Sequence, residues 1–184
     1  MPQERMCIYL KSVACGTSAS PETLCDTYCT LMDDVESRQT KIELLAGEGN
    51  IEGLEKLFEA GYTQLEIDTA LVNAIAYSKN KAAEYLLSLG ADISNDNYQG
   101  AYYAAHNNEI EGLKFAVANG VDINVENGML LNVSIEQATN TKSVDIVKWL
   151  LDNGADPKFI TGRSQKLVNN YGTKELKKLI DNIS

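Results

Sequence analysis

A segment of about 30 residues recurs along most of the chain, and no other feature narrows the possible folds as much. Each copy is an apolar-rich run, and the first four are closed by glycine, usually followed by a small or branched residue and aspartate. The copies begin at Ile51, Asn80, Ile110, Val144 and Thr173, with spacings of 29, 30, 34 and 29 residues. The first four end at Gly61, Gly90, Gly120 and Gly154. A repeat of this period marks an array in which each unit buries its apolar face only against its neighbours.

Each copy reads as a helix. Leu54, Leu57 and Phe58 fall at i, i+3, i+4, as do Leu113, Ala116 and Val117, which lines them up on one face. The closing glycines stand where a helix needs a left-handed residue after its last turn. A more weakly patterned helix precedes each copy, around residues 41–47, 69–77, 101–107, 131–138 and 164–170. The predicted helix pairs are therefore 41–61, 65–90, 98–120, 129–154 and 162–183.

These residues resemble the ankyrin repeat family. Thr69-Ala70-Leu71-Val72 is similar to its opening motif, with proline and histidine replaced. Ala104-Ala105 matches the paired alanines that let two helices approach closely. The run from Ala46 to Leu54 matches the middle of the repeat, and Gly90-Ala91-Asp92-Ile93 and Gly154-Ala155-Asp156-Pro157 match its end. The resemblance covers about residues 40–184. It implies an all-α helical-repeat solenoid. The family period is about 33, so the shorter spacing here predicts short or missing β-hairpin fingers. Only the junction from Asp122 to Val133 is long enough for a full finger. The missing proline and histidine should weaken the starts of the first helices.

Residues 1–40 do not fit the repeat. Ser20, Pro21 and Glu22 form a strong helix start, with an N-cap, a first-turn proline and an acid near the positive end of the dipole. The helix predicted over 22–36 is read as a cap on the apolar end of the array, the alternative being a partner-docking or targeting segment. All four cysteines, Cys7, Cys15, Cys25 and Cys29, lie here. Their gaps of seven, nine and three residues lack the two-residue spacing of structural zinc sites, so they read as reduced thiols. The apolar stretch from Met6 to Leu10 is too short for a secretory leader.

Charge and motifs narrow the function. Asp and Glu number 26 against 16 Lys and Arg, a formal charge of -10, which disfavours nucleic acid. The charge is uneven: residues 155–184 carry a net +3 and residues 1–154 a net -13. A partner with a basic surface would be steered to the central repeats. His106 is the single histidine, and no phosphate-binding loop, nucleophile elbow or zinc-protease helix occurs. No enzyme activity, cofactor or metal is expected. An enzyme or metal-binding module using the cysteine-rich N-terminus, with His106 as a base for a cysteine, is the alternative class.

The resemblance also implies where a partner would bind. In ankyrin arrays the first helices and the turns after them line a concave face. By position that face includes Tyr77, Tyr98, Tyr102, His106, Asn107, Glu126, Asn127, Glu136 and Asn140. Tyr98 and Tyr77 are expected exposed, and Tyr103 or Tyr85 buried. The expected protein is a monomeric, cytoplasmic, non-catalytic module that grips a partner protein of unknown identity and touches no membrane. An effector or inhibitor acting on a host protein, delivered into the host cell, is a variant of that reading.

Overall fold

A computed structural model describes residues 38–182. The chain divides into two units, Met1–Lys41 and Ile42–Ser184. The cap expected over 1–40, with its four cysteines, lies outside the described residues apart from 38–40.

The described residues form five successive helix pairs. They are α1 (38–48) with α2 (Ile51–Phe58), α3 (Gln64–Ala76) with α4 (Asn80–Ser88), and α5 (Asn95–His106) with α6 (Ile110–Ala118). They continue as α7 (Val125–Thr141) with α8 (Asp145–Asp152), and α9 (Gly162–Tyr171) with α10 (Lys174–Asp181). A short 3-10 turn, Pro157–Phe159, leads into the last pair. No strand occurs among the described residues, so the all-α expectation holds. The first helices pack on one another in order, α3 on α5, α5 on α7 and α7 on α9.

Stacking is close because small residues lie where the helices meet. Ala74, Ala83, Ala104, Ala105 and Ala116 are all fully buried. Leu54, Leu71, Ile75, Leu86, Leu113, Leu131, Ile135, Leu150 and Leu176 fill the spaces between them, so the core is a continuous seam along the array. The expected closing glycines are left-handed: Gly61, Gly90, Gly120 and Gly154 have φ of 96, 92, 101 and 102°.

Two expectations change. The long junction after Asp122 makes no finger. α5 and α7 both open on three left-handed residues, Asp96-Asn97-Tyr98 and Glu126-Asn127-Gly128, which stand 30 residues apart like their neighbours. The left-handed residues that end the same helices' turns, Asn108 and Lys142, stand 34 apart. The four extra residues therefore lie inside α7 and lengthen it by about one turn.

The first helices also do not uniformly lack hydrogen bonds at their starts. Thr63 makes a capping box on α3: its hydroxyl accepts from Glu66 N at 3.3 Å, and the Glu66 carboxylate accepts from Thr63 N at 2.8 Å. Thr161 Oγ1 caps α9 by accepting from Ser164 N at 3.2 Å. α5 and α7 have no side-chain cap.

Polar side chains then tie one repeat to the next. Gln64 donates to Gly90 O at 2.9 Å, and Asp68 accepts from Asp92 N at 2.7 Å. Two repeats later Asn124 does both tasks, donating to Gly154 O at 3.0 Å and accepting from Asp156 N at 2.8 Å.

Candidate functional site

A groove of about 410 Å³ crosses the face made by α1, α3 and α5. Helical spacing builds it. Thr69, Val72, Asn73 and Ala76 fall at i, i+3, i+4, i+7 on α3, so they form one stripe, with Tyr77 just past its end. Gln99, Tyr103 and His106 form the matching stripe on α5, followed by Asn107. Glu43 of α1 completes the lining.

Val72 and Ala76 are the buried apolar floor, and Tyr77 stands 50% exposed at the rim. Its ring lies over Gly47 of α1: a Cβ at Gly47 would come 3.2 Å from Tyr77 Cδ2, so the bare glycine makes room for it. On the other side Tyr103 is 37% exposed. Tyr102 meets Tyr103 edge-on, centroids 5.4 Å apart at 70°, and stacks on His106 at 6.0 Å and 22°. Aromatic pairs of this geometry hold one another's orientation. Asn107 Nδ2 donates to Ala76 O at 3.2 Å, which locks the turn after α5 against the turn after α3.

Of the residues expected from sequence, Tyr77, His106 and Asn107 line this groove and Tyr102 lies beside it. The others are elsewhere. Tyr98 sits in the left-handed turn opening α5 and is half-buried against the core, not exposed as expected. Glu126 and Asn127 occupy the equivalent turn of α7 and are exposed. Glu136 is engaged by Arg163 at 3.3 Å, and Asn140 is exposed near the end of α7. One of Tyr103 and Tyr85 is expected to be buried, but neither is: Tyr103 is a wall of the groove and Tyr85 is half-buried. Glu43, Thr69, Asn73 and Gln99 escaped the sequence reading. Counting back four residues from Tyr77 and Tyr103 finds Asn73 and Gln99, because i and i+4 share a helix face.

Among the described residues, no group of three or more His, Cys, Asp or Glu could hold a metal, and no helix is long and apolar enough to cross a membrane.

No protein-family model matches the chain. It is similar to two ankyrin repeat proteins of Acanthamoeba polyphaga mimivirus. One is 43% identical over 68 residues, 35% of this chain and 22% of that protein. The other is 30% identical over 118 residues, 64% of this chain and 24% of that protein. The chain thus spans about a quarter of the length of the curated relatives it matches. The period near 30, the helix pairs closed by left-handed glycines and these similarities together identify residues 42–182 as an ankyrin-like repeat array.

Proposed function

We propose that the array is a non-catalytic recognition module that holds a partner protein in the groove across α1, α3 and α5. One observation carries this reading. Two tyrosine rings, Tyr77 and Tyr103, stand exposed on opposite sides of a groove built from three consecutive first helices. Tyrosine offers rigid apolar area with a polar tip, the combination that dominates binding energy at protein interfaces. The rings are also held in place, Tyr77 over Gly47 and Tyr103 against Tyr102, so little freedom is lost when a partner docks.

A pull-down with the purified chain, followed by sequencing of the captured protein, names the partner. Replacing Tyr77 and Tyr103 together by alanine should lower its affinity by about 1,000-fold, since hot-spot truncations cost about 2 kcal/mol each. The helical circular dichroism should not change, because both rings are exposed. Undiminished capture by a folded double variant would move the binding face elsewhere.

A further inference from the structure

We propose that the outward face of the second helices docks on the same face of a second copy of this chain, giving a two-fold dimer. It replaces the monomer expected above, and it uses α2, α4, α6, α8 and α10, not the helices that build the groove.

Helical geometry defines the face. Counting from Ile51, Asn80, Ile110, Val144 and Thr173, the second, fifth, sixth and ninth residues of each helix fall within about 100° of its circumference. The five second residues and the five ninth residues are all exposed. The fourth residues point the other way: Leu54, Ala83, Leu113, Val147 and Leu176 are buried.

Along this face the charges are complementary to their own order reversed. The second residues are Glu52, Lys81, Glu111, Asp145 and Lys174. The fifth are Glu55, Glu84, Lys114, Lys148 and Lys177. A two-fold axis lying along α6 reverses the order of the helices and keeps each residue's height along its helix. It sets α2 against α10 of the other copy, and α4 against its α8. Glu52 then faces Lys174 and Glu55 faces Lys177, while Lys81 faces Asp145 and Glu84 faces Lys148. Every pair off the axis at these two heights is opposite in sign. On the axis Glu111 and Lys114, 2.8 Å apart, each lie diagonally opposite the image of the other. A two-fold interface needs one patch that complements itself, and this patch does.

The sixth residues supply apolar area in the middle. Tyr85, Phe115 and Trp149 are half-buried rings on three successive second helices. The same axis lays Tyr85 over Trp149 and Phe115 over its own image, so rings meet rings while the charges fix the register. At the ends the sixth residues are Lys56 and Lys178, a like pair, with Glu59 and Asp181 one turn further on. The ends as a whole stay opposite: three acids and one lysine give the α2 end -2, and three lysines and one acid give the α10 end +2. Lys174, Lys177 and Lys178 are in no ion pair among the described residues, which leaves them available to the other copy. The whole face carries eight acids and seven lysines, a net -1 against -10 for the chain, so two copies repel least on this side.

Sedimentation equilibrium of the full chain is the test, with the fluorescence of Trp149, the single tryptophan, as a second readout. The parent should follow a monomer–dimer equilibrium, and Trp149 emission should move to shorter wavelength as the dimer fills. Glu52→Lys with Glu55→Lys makes a copy that is basic at both ends, and Lys174→Glu with Lys177→Glu makes one that is acidic at both. Each variant alone should dimerise about tenfold more weakly or worse, because four opposed pairs turn repulsive. Mixed one to one, the two variants should pair as tightly as the parent, since every end again meets its opposite. Their helical circular dichroism should match the parent's, because all four side chains are exposed or half-buried. A monomeric parent, a single variant that dimerises undiminished, or a mixture that stays monomeric overturns the proposal. Growth beyond the dimer also overturns it, since that requires open head-to-tail contacts and not a two-fold face.

Discussion

Gly112 shows how tightly single residues are constrained where repeats meet. A Cβ placed there would lie 2.1 Å from Ile75 O, a backbone atom that cannot swing aside, and Gly112 N donates to Ser78 Oγ at 2.9 Å. Gly112→Ala must therefore push α6 away from the end of α3. A loss of about 1–3 kcal/mol is expected, the usual cost of overpacking, read from the urea unfolding midpoint. An unchanged midpoint would mean that the two helices can separate freely. The glycine is visible in the sequence, but its reason is not. Ile110-Glu111-Gly112-Leu113 and Ile51-Glu52-Gly53-Leu54 look alike, yet a Cβ at Gly53 would meet the flexible end of Leu45 and not a carbonyl. The tyrosines teach the same lesson. Tyr102 and Tyr103 are adjacent in sequence and differ only in which way the α5 stripe faces.

At the scale of the element, local chemistry decides which helices start firmly. The box of Thr63 and Glu66 satisfies two backbone N–H donors, those of Thr63 and Glu66, at the start of α3. Thr63→Ala should cost about 1 kcal/mol. The loss should appear first as faster hydrogen exchange in the first turn of α3, while α5, which has no such cap, keeps its rates. Equal acceleration in both helices would count against a local role. The helix pairs and their glycine ends could be read because their signals are local: a 3.6-residue period and a residue type that tolerates positive φ. The fate of the four extra residues before Val144 could not. Length alone cannot say whether added chain becomes a finger or a turn of helix. The buried positions Leu130, Leu131, Ser134, Ile135 and Ala138 kept α7 helical through it.

For the whole molecule, stability depends on how successive Gly-Ala-Asp turns are held, and these turns respond to acid. The hydrogen bond from the Ser94 side chain holds the Asp92 carboxyl below the ordinary carboxylate range, with help from Ser94 N. The hydrogen bond and ion pair from Lys158 do the same for Asp156. A carboxyl whose pKa is lower folded than unfolded stabilises the fold above its unfolded value. That contribution disappears as pH falls from about 4 through the folded value. Changing both residues to asparagine should flatten the acid limb of the stability-against-pH curve below about pH 4 and leave its slope near neutrality unchanged. Thermal melts across that range measure it, and parallel acid limbs would show that other carboxylates govern acid unfolding.

The sequence by itself determined the all-α repeat architecture, the left-handed glycines, the acidic balance and the likeness to ankyrin arrays. Each follows from periodicity, residue type or charge, which act locally or by summation. Only the tertiary structure decided that Tyr103 faces outward, that Tyr98 packs inward, that Glu136 is held by Arg163, and that Glu43, Asn73 and Gln99 meet around one groove. Those outcomes depend on how residues about 30 positions apart are brought side by side. Stacking of neighbouring repeats fixes that register, and no single repeat contains it.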